Sequence, residues 1–432
     1  MTPIQAWGRL SAEPHHLWPL QDAQAINHAP LQAARPALAH GMGRSYGDVA
    51  LNPGGNLWLT RGLDHLISFD RQHGRLRCEA GVLLRDIQQL AIASGWILPV
   101  TPGTQLITVG GAIANDVHGK NHHAQGSFGD HIHALQLIRT DGQQLECSRT
   151  QHVEWLNATV GGLGLTGLIS QAELQLQPCS GPWLESETLA YHSLDEFFQL
   201  ADDSEAEWQH TVSWIDCLAR SGRGLFMRAN PCAHQQTPPR DRTPLRMPLT
   251  PPLSLVNSLS LKAFNTLYFH WHKQRHERRL VHYVPFFYPL DNLQDWNRMY
   301  GPRGFYQYQS VIPRQHGREA IAAMLEAIAA SGAGSFLAVL KTFGQRQAPG
   351  LLSFARPGVT LALDFPNQGQ STLRLFERLD SIVREAGGTL YPAKDARMPR
   401  DLFEQGYPRL DEFLTFRDPG ISSGLSRRLM GY

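Results

Sequence analysis

The stretch TVGGAIANDVHGKNHHAQGSFGD, Thr108–Asp130, carries the strongest structural signal in this sequence. It holds five glycines, three histidines and one lysine. Glycine lets the backbone approach a ligand closely and adopt a positive φ, while histidine and lysine supply ionisable groups. The stretch therefore predicts a binding loop whose side chains also contribute chemistry.

Two further glycine-rich loops accompany it, HGMGRSYGD at His40–Asp48 and TVGGLGLTGL at Thr159–Leu168. Successive backbone N–H groups in such loops form a concavity that binds anions. Tight turns between short strands explain any one of these loops equally well. Three together, without a P-loop lysine, favour an extended cofactor that carries a pyrophosphate.

The segment Gly162–Gly167, GLGLTG, satisfies the GxGxxG pattern of dinucleotide-binding folds. That motif must follow a strand and open a helix. Here the alternating residues of LISQAELQLQP follow it and predict a strand. We therefore reject a nicotinamide cofactor.

The histidines of the first stretch raise the alternative of a metal site. His118, His122 and His123 lie close in sequence, but no acidic or thiol ligand stands at a companion spacing, and Lys120 would repel a cation. We expect no metal. For His122 and His123 we expect hydrogen bonds that hold the loop in place.

The composition bounds the class of protein. A chain of 432 residues is long for a single core, so two domains are expected. Lysine plus arginine (39) balances aspartate plus glutamate (38), which argues against nucleic acid as a partner. Five scattered cysteines without a CxxC favour a reducing compartment. Without a signal peptide or an apolar run of membrane-spanning length, we expect a cytoplasmic protein, at most peripheral at the cytoplasmic membrane.

Secondary-structure patterns divide the chain near residue 180. Before it, short strands prevail, with a helix at residues 85–96 and a hairpin around the Asp-Gly turn of TDGQQLECS. After it, helices at residues 318–332 and 371–388 alternate with the strand-like runs FLAVLKTF and VTLALDFP. This pattern predicts a mixed α and β domain whose sheet is covered by helices.

Between these helices and the boundary lies a proline-rich segment, about residues 229–258, that shows no apolar periodicity and predicts a mobile loop. The next segment, residues 259–280, is aromatic and ends in Lys273, Arg275, Arg278 and Arg279. It fits an anionic membrane surface and equally an ordinary packed helix with a solvated basic end.

The segments GMGRSYGD, TVGGAIANDVHGKNHHAQGSFGD and ATVGGLGLTG resemble the FAD-binding domain of the vanillyl-alcohol oxidase superfamily. Together with GPRGFYQYQSVIP, FLAVLKTFG, LALDFP, YPAKDAR and YPRLDEF, they resemble its decaprenylphosphoryl-ribose oxidase-like branch over nearly the whole chain. The resemblance implies an α+β flavoprotein of two domains. Residues 1–180 and 391–432 would form the FAD-binding domain, and residues 181–390 an inserted substrate-binding domain.

The resemblance also implies the site residues. Lys394 matches the family's active-site lysine, and His118 would polarise the substrate hydroxyl or accept its proton. The implied substrate-binding residues are Gln307, Gln309, Lys341, Lys120 and Phe287. The implied FAD-binding residues, besides His118, are Gly41, Gly43, Arg44, Ser45, Tyr46, Gly47, Thr104, Gly110, Gly111, Ala112, Asn115, Asp116, Gly119, Asn121, Gly162, Gly164, Gly167, Ile169 and Tyr391.

Several positions depart from the family pattern. Arg44 stands where relatives with covalent FAD carry histidine, so a non-covalent flavin is expected. Ala362 stands in place of a pocket cysteine, Thr360 of an asparagine and Phe287 of a tyrosine. None of these removes a group that the redox step needs, but they leave the exact sugar and lipid open.

The resemblance implies oxidation of the 2′-hydroxyl of a polyprenyl-phosphoryl ribose to a ketone. This would be the first half of an epimerisation that makes a cell-wall polysaccharide precursor. A separate NAD(P)-dependent short-chain reductase would complete it. Two alternatives stay open: an aldonolactone or sugar-alcohol oxidase with a soluble substrate, and a flavin-binding scaffold without turnover.

Overall fold

The computed structural model describes residues 1–21, 35–219, 221–234, 244–273 and 278–431. Short strands alternate with helices along these residues. The strands are β1 (Thr2–Ile4), β2 (Glu13–Pro19), β3 (Ala37–His40), β4 (Asn56–Leu59), β5 (Leu66–Asp70), β6 (Arg75–Glu79), β7 (Trp96–Ile97), β8 (Ile132–Ile138), β9 (Gln144–Ser148), β10 (Leu168–Gln175), β11 (Gln177–Pro178), β12 (Trp183–Tyr191), β13 (His210–Ile215), β14 (Gly224–Pro231), β15 (Leu245–Arg246), β16 (Arg279–His282), β17 (Leu293–Gln294), β18 (Phe305–Ile312), β19 (Val339–Phe343), β20 (Gly358–Pro366) and β21 (Thr389–Leu390).

The α-helices are named here by their residues. They are Leu84–Ile92, Val109–Ala114, His122–Gln125, Val153–Thr159, Leu194–Glu205, Ser258–His272, Tyr283–Phe287, Arg314–Ser331, Gln370–Glu385, Arg400–Gly406, Leu410–Leu414 and Gly424–Met430. Among the described residues, no helix is both long enough and apolar enough to cross a bilayer.

Three larger sheets organise the described residues. A four-stranded sheet has the order β1-β2-β4-β3, and an antiparallel five-stranded sheet has the order β5-β6-β10-β8-β9. The third sheet has eight strands in the order β16-β12-β14-β13-β19-β20-β18-β21, and all its pairs are antiparallel. The α and β content agrees with the predicted class.

One face of the eight-stranded sheet packs against helices, and the other lines a cavity. Alternate residues of β20, Leu361, Leu363 and Phe365, are fully buried against the helices Arg314–Ser331 and Gln370–Glu385. The residues between them point to the opposite face, since side chains alternate along a strand. That opposite face lines a cavity, so the helices cover the side of the sheet that faces away from the site.

The C-terminal residues pack against the N-terminal ones. Ile421 bridges Ala37, and the Arg428 guanidinium pairs with the carboxylates of Asp48 and Asp395 at 2.9 Å each. The eight-stranded sheet is built from residues 183–390. The division into an FAD-binding and a substrate-binding domain stays a prediction, although both observations are compatible with it.

Several local predictions are confirmed. The helix after Leu83, the β8-β9 hairpin with Gly142 at φ +92°, and the strand after the GxGxxG motif all form. The prediction of an irregular loop over residues 229–258 is only partly testable, because residues 235–243 lie outside the described residues. Its flanks are more regular than predicted: β14 runs to Pro231, and β15 pairs in parallel with β17.

Candidate active site

A cavity of about 540 Å³ lies between the glycine loops and the open face of the eight-stranded sheet. Most of the residues predicted for the site line it. These are Gly41, Gly43, Arg44, Ser45, Tyr46, Thr104, Gly110, Gly111, Asn115, His118, Gly119, Lys120, Gly164, Gly167, Ile169, Gln307, Gln309, Lys341, Tyr391 and Lys394.

Six predicted residues do not line the cavity, namely Gly47, Ala112, Asp116, Asn121, Gly162 and Phe287. Asp116 supports the wall from behind. Its buried carboxyl accepts hydrogen bonds from Ser127 Oγ (2.9 Å) and Gly129 N (2.8 Å). Burial raises the pKa of this carboxyl to about 6. Phe287 is buried, and the neighbouring Phe286 takes its place on the cavity wall.

The loop after β3 presents an anion-binding backbone. The N–H groups of Met42, Gly43, Arg44 and Ser45 donate to no other group among the described residues. Gly43 lies at φ +60°, a conformation that turns consecutive N–H groups toward one side. The guanidinium of Arg44 stacks on the Trp7 ring 4.1 Å from its centroid, and its buried Nε has no partner in the described structure.

The cavity wall holds further unsatisfied polar atoms. Asn115 Oδ1 and Gln307 Oε1 are buried, and neither has a partner among the described residues. Most buried polar atoms in proteins are paired, and these two lie on the cavity wall, where a polar ligand can pair with them. The unpaired N–H groups suit the phosphates of an extended cofactor, and the two amide oxygens suit hydroxyl or ring N–H donors, which agrees with FAD.

His118 lies at the centre of a hydrogen-bonded cluster. Its Nε2 is 3.0 Å from Gln309 Nε2, and its Nδ1 is 3.1 Å from Lys341 Nζ. Lys341 Nζ also donates to the Gly119 carbonyl at 2.9 Å. Burial, followed by the charge of Lys341, lowers the pKa of His118 well below its usual value, so the imidazole is neutral.

Lys394 and Asp364 form the opposite side of this cluster. The Lys394 ammonium lies 4.0 Å from the centroid of the Tyr46 ring, and Asp364 accepts a 2.6 Å hydrogen bond from Gln307 Nε2. Burial lowers the pKa of Lys394 and raises the pKa of Asp364, while each charge favours the other. Each of these two groups therefore stabilises the charged form of the other within the cavity.

Three lysines line one cavity with two carboxyl groups, those of Asp364 and Asp291. Burial lowers the pKa of Lys120 to about 8 and that of Lys341 to about 7. Lys120 Nζ donates to the Phe287 carbonyl at 2.9 Å. An anionic ligand would relieve the repulsion among these lysines, so the cavity is built to receive negative charge.

The predictions for the two neighbouring histidines have different outcomes. His123 Nε2 contacts the Trp208 carbonyl at 2.7 Å, which confirms a hydrogen bond that holds the loop. For His122 the prediction is wrong, because neither ring nitrogen has a partner in the described structure. Its ring packs against Phe343 with centroids 4.6 Å apart, and burial lowers its pKa to about 3.

Sequence reasoning missed several cavity residues, above all Asp364, Asp291, Trp7 and Thr108. Asp364 stands opposite Gln307 in the β18-β20 register, and Thr360 stands opposite Lys341 in the β19-β20 register. Strand pairing in the eight-stranded sheet brings these residues together. The acidic residue within the apolar run LALDFP is a local signal from which Asp364 could have been predicted as a site residue.

Comparisons with known proteins agree with this geometry. A family model described as an FAD binding domain matches residues 20–148. Decaprenylphosphoryl-beta-D-ribose oxidase of Mycolicibacterium smegmatis is 35% identical over 99% of this chain and 97% of its own. An uncharacterised Streptomyces coelicolor protein from the mprA 5′ region is 31% identical over 81% of this chain and all of its own. L-gulonolactone oxidase of Mus musculus is 29% identical over 32% of this chain and 31% of its own.

Proposed function

We propose a function for this chain from one premise: it belongs to the family of FAD-linked oxidases that includes decaprenylphosphoryl-beta-D-ribose oxidase. It is an FAD-dependent oxidoreductase. Its substrate is proposed to be a polyprenyl-phosphoryl ribose, whose 2′-hydroxyl it oxidises to a ketone. The observation that carries this proposal is the joining of buried lysines, suited to a phosphate, with the amides of Gln307 and Gln309, suited to sugar hydroxyls, in one cavity.

FAD supplies the hydride acceptor when it is bound. The chain's residues are proposed to hold it as follows. The N–H groups of residues 42–45 and the guanidinium of Arg44 would hold its phosphates, and Asn115 would meet a polar group of the cofactor. The lysine cluster would stabilise negative charge on the reduced ring.

His118 is the proposed acceptor of the hydroxyl proton, at Nε2. Its heavy-atom contacts fit two proton arrangements. A charged Lys341 donates to Nδ1, which leaves the ring proton on Nε2 and requires the Gln309 amide to turn its oxygen toward it. A neutral Lys341 accepts from Nδ1, and Nε2 is then unprotonated; its lone pair accepts from Gln309 Nε2 and would exchange that bond for the substrate hydroxyl. Lys341, one of the predicted substrate-binding residues, would through these contacts also control the imidazole.

Lys394 and the two glutamines are proposed to orient the sugar. The Lys394 cation would hold the hydroxyl oxygen and stabilise charge that develops there. Gln307 is fixed through Nε2 by Asp364, which leaves its buried Oε1 available to accept from a second sugar hydroxyl. With one hydroxyl held by Lys394 and a second by Gln307, a fixed face of the sugar would meet the cofactor.

Reduction of the ketone, the second half of the epimerisation, is proposed to need a second enzyme, since the sequence predicts no nicotinamide site in this chain. We therefore keep an NAD(P)-dependent short-chain reductase as the proposed partner in the epimerisation. A substrate with a prenyl tail resides in a membrane, so the oxidation would take place at a membrane surface.

Anaerobic mixing with a short-chain prenylphosphoryl ribose, followed by the visible absorbance of the flavin, tests the proposal. An aldonolactone and an alditol serve as parallel substrates. Rapid bleaching by the lipid-linked ribose alone is expected. Bleaching by the soluble sugars alone would instead make the chain a lactone or alditol oxidase, and no bleaching by any of them would favour the scaffold.

A further inference from the structure

Large exposed apolar side chains are concentrated in one part of the described surface. Thirteen such side chains are exposed, and eight of them lie between residues 245 and 271. Single exposed apolar residues are normal, but a contiguous group marks an interaction site. The eight are Leu245, Leu249, Leu253, Leu255, Leu259, Phe264, Leu267 and Trp271.

The helix Ser258–His272 has two apolar faces. Its inner face, Leu261 and Phe269, packs into the protein at a spacing of two turns. A second row, Leu259, Leu267 and Trp271, occupies the opposite side and is 79%, 68% and 69% exposed. We name this row the outer stripe. A helix that needed only to pack on the core would carry polar residues there.

The same helix forms part of the cavity wall through Tyr268. The Tyr268 ring stacks on Phe264, with centroids 5.5 Å apart, and meets Trp214 edge-on at 4.9 Å. Trp214 also lines the cavity, whereas Phe264 is 40% exposed. An aromatic path therefore connects the surface beside the outer stripe with the interior of the cavity.

The chain segment that carries the outer stripe has charged residues of one sign. Residues 244–273 contain Arg246, Lys262 and Lys273 and no aspartate or glutamate. Arg246 pairs with Asp295 at 2.7 Å, and no ion pair within the described residues involves either lysine. Two copies of this face would oppose like charges in a symmetric dimer, which disfavours a second copy as the occupant.

We propose that the outer stripe docks on an anionic lipid bilayer and that the prenyl chain of the substrate enters the cavity past Phe264 and Tyr268. Apolar side chains would lie at the boundary of headgroups and acyl chains, and the lysines would meet anionic headgroups. The docking half rests on the surface alone. The prenyl route rests on the proposed function.

Co-sedimentation of the FAD-loaded chain with phosphatidylcholine vesicles, with and without phosphatidylglycerol, tests the docking half. The test variant combines Leu267→Glu and Trp271→Glu. The matched control combines Leu66→Glu and Ile67→Glu, two exposed apolar residues of β5. We expect the wild type and the control to bind anionic vesicles, and the test variant to bind at least about tenfold more weakly. No binding by the wild type, or equal loss in both variants, would overturn docking.

Rates of substrate oxidation test membrane docking separately from the proposed function. With a water-soluble short-chain substrate and no vesicles, all three proteins should react equally fast, which also shows that the variants are folded. With a long-chain substrate in anionic vesicles, only the test variant should slow. If the wild type binds vesicles but oxidises no prenylphosphoryl ribose, the function fails while docking stands. A soluble dimer that the test variant abolishes would make the stripe a protein interface and contradict the proposal.

Discussion

At the scale of single residues, we expect the oxidation to depend on the positive charge of Lys394. This ammonium lies over the Tyr46 ring and shares its burial with Asp364. We expect Lys394→Met to lower kcat/KM roughly 100-fold or more, as the loss of one preorganised charge does at such sites. The fold should tolerate the change, because Asp364, whose pKa burial already raises, would take up a proton.

Stopped-flow bleaching of the bound flavin by substrate measures this effect, and the flavin content of the purified variant shows that binding persists. Lys262→Met, an exposed lysine of the helix Ser258–His272, is the control and should leave the soluble reaction unchanged. Equal rates in the wild type and Lys394→Met would remove this lysine from the mechanism.

The proton on His118 gives the second residue-scale prediction. The pKa of Lys341 is lowered by burial to about 7. Below this pH the ammonium donates to Nδ1 and the ring proton occupies Nε2, whereas above it Nε2 is unprotonated and can take the hydroxyl proton in exchange for its bond from Gln309. We therefore expect kcat/KM to rise as pH increases through about 7, because the free enzyme's ionisations set that profile.

The substitution Lys341→Met supplies the matched test. It removes the group whose titration selects the tautomer, so the step near pH 7 should disappear even where the overall rate falls. A step that persists in Lys341→Met would assign the ionisation to another group of the cavity.

At the scale of elements, the loop after β3 depends on one glycine. Gly43 lies at φ +60°, where an L-residue costs about 1–2 kcal/mol. Gly43→Ala should therefore weaken FAD binding roughly tenfold, since relaxation of the loop turns its N–H groups away from the phosphates. Gly54 has a similar φ of +75° in open space, away from the cavity, and is the matched control.

Fluorescence titration of FAD into the apo-proteins compares the two variants. Both should lose free energy of unfolding, because both place a side chain at positive φ, and the loss is larger for Gly43→Ala, whose Cβ would lie 3.3 Å from His40 Nε2. Only Gly43→Ala should lose affinity. Equal affinities would show that the loop does not hold the cofactor.

Elements with local signals could be predicted, and elements set by distant pairing could not. The helix Gln370–Glu385 and the β8-β9 hairpin follow from apolar periodicity and an Asp-Gly turn. The position of β19 between β13 and β20, by contrast, depends on residues more than a hundred positions apart. That pairing with β13 sets Val339 opposite Trp214, and both residues line the cavity. The glycine loops could be predicted because a backbone that approaches a ligand needs glycine. The place of Asp364 in the site could not, because it depends on the pairing of β20 with β18, which sets Asp364 opposite Gln307.

At the scale of the whole molecule, the cavity joins two parts of the chain. Residues 41–46 and 101–120 form one wall and the eight-stranded sheet forms the other, so a ligand between them contacts both. A ligand that binds only the folded chain stabilises it by RT ln(1 + [L]/Kd), about 2.7 kcal/mol at a concentration of 100 Kd. Removal of FAD should therefore lower Tm, and added FAD should restore it in proportion to the logarithm of its concentration.

This concentration dependence also tests how the flavin is held. Arg44 cannot form the bond that histidine makes at this position in relatives with covalent FAD, and its guanidinium is stacked on Trp7. Acid precipitation should therefore leave the yellow colour in the supernatant, and FAD added to the apo-protein should raise Tm. A coloured pellet, together with a Tm that does not respond to added FAD, would mean a covalent link through another residue. Of the described histidines, His118 alone lines the cavity. Peptide mapping would then begin at Val117–Lys120.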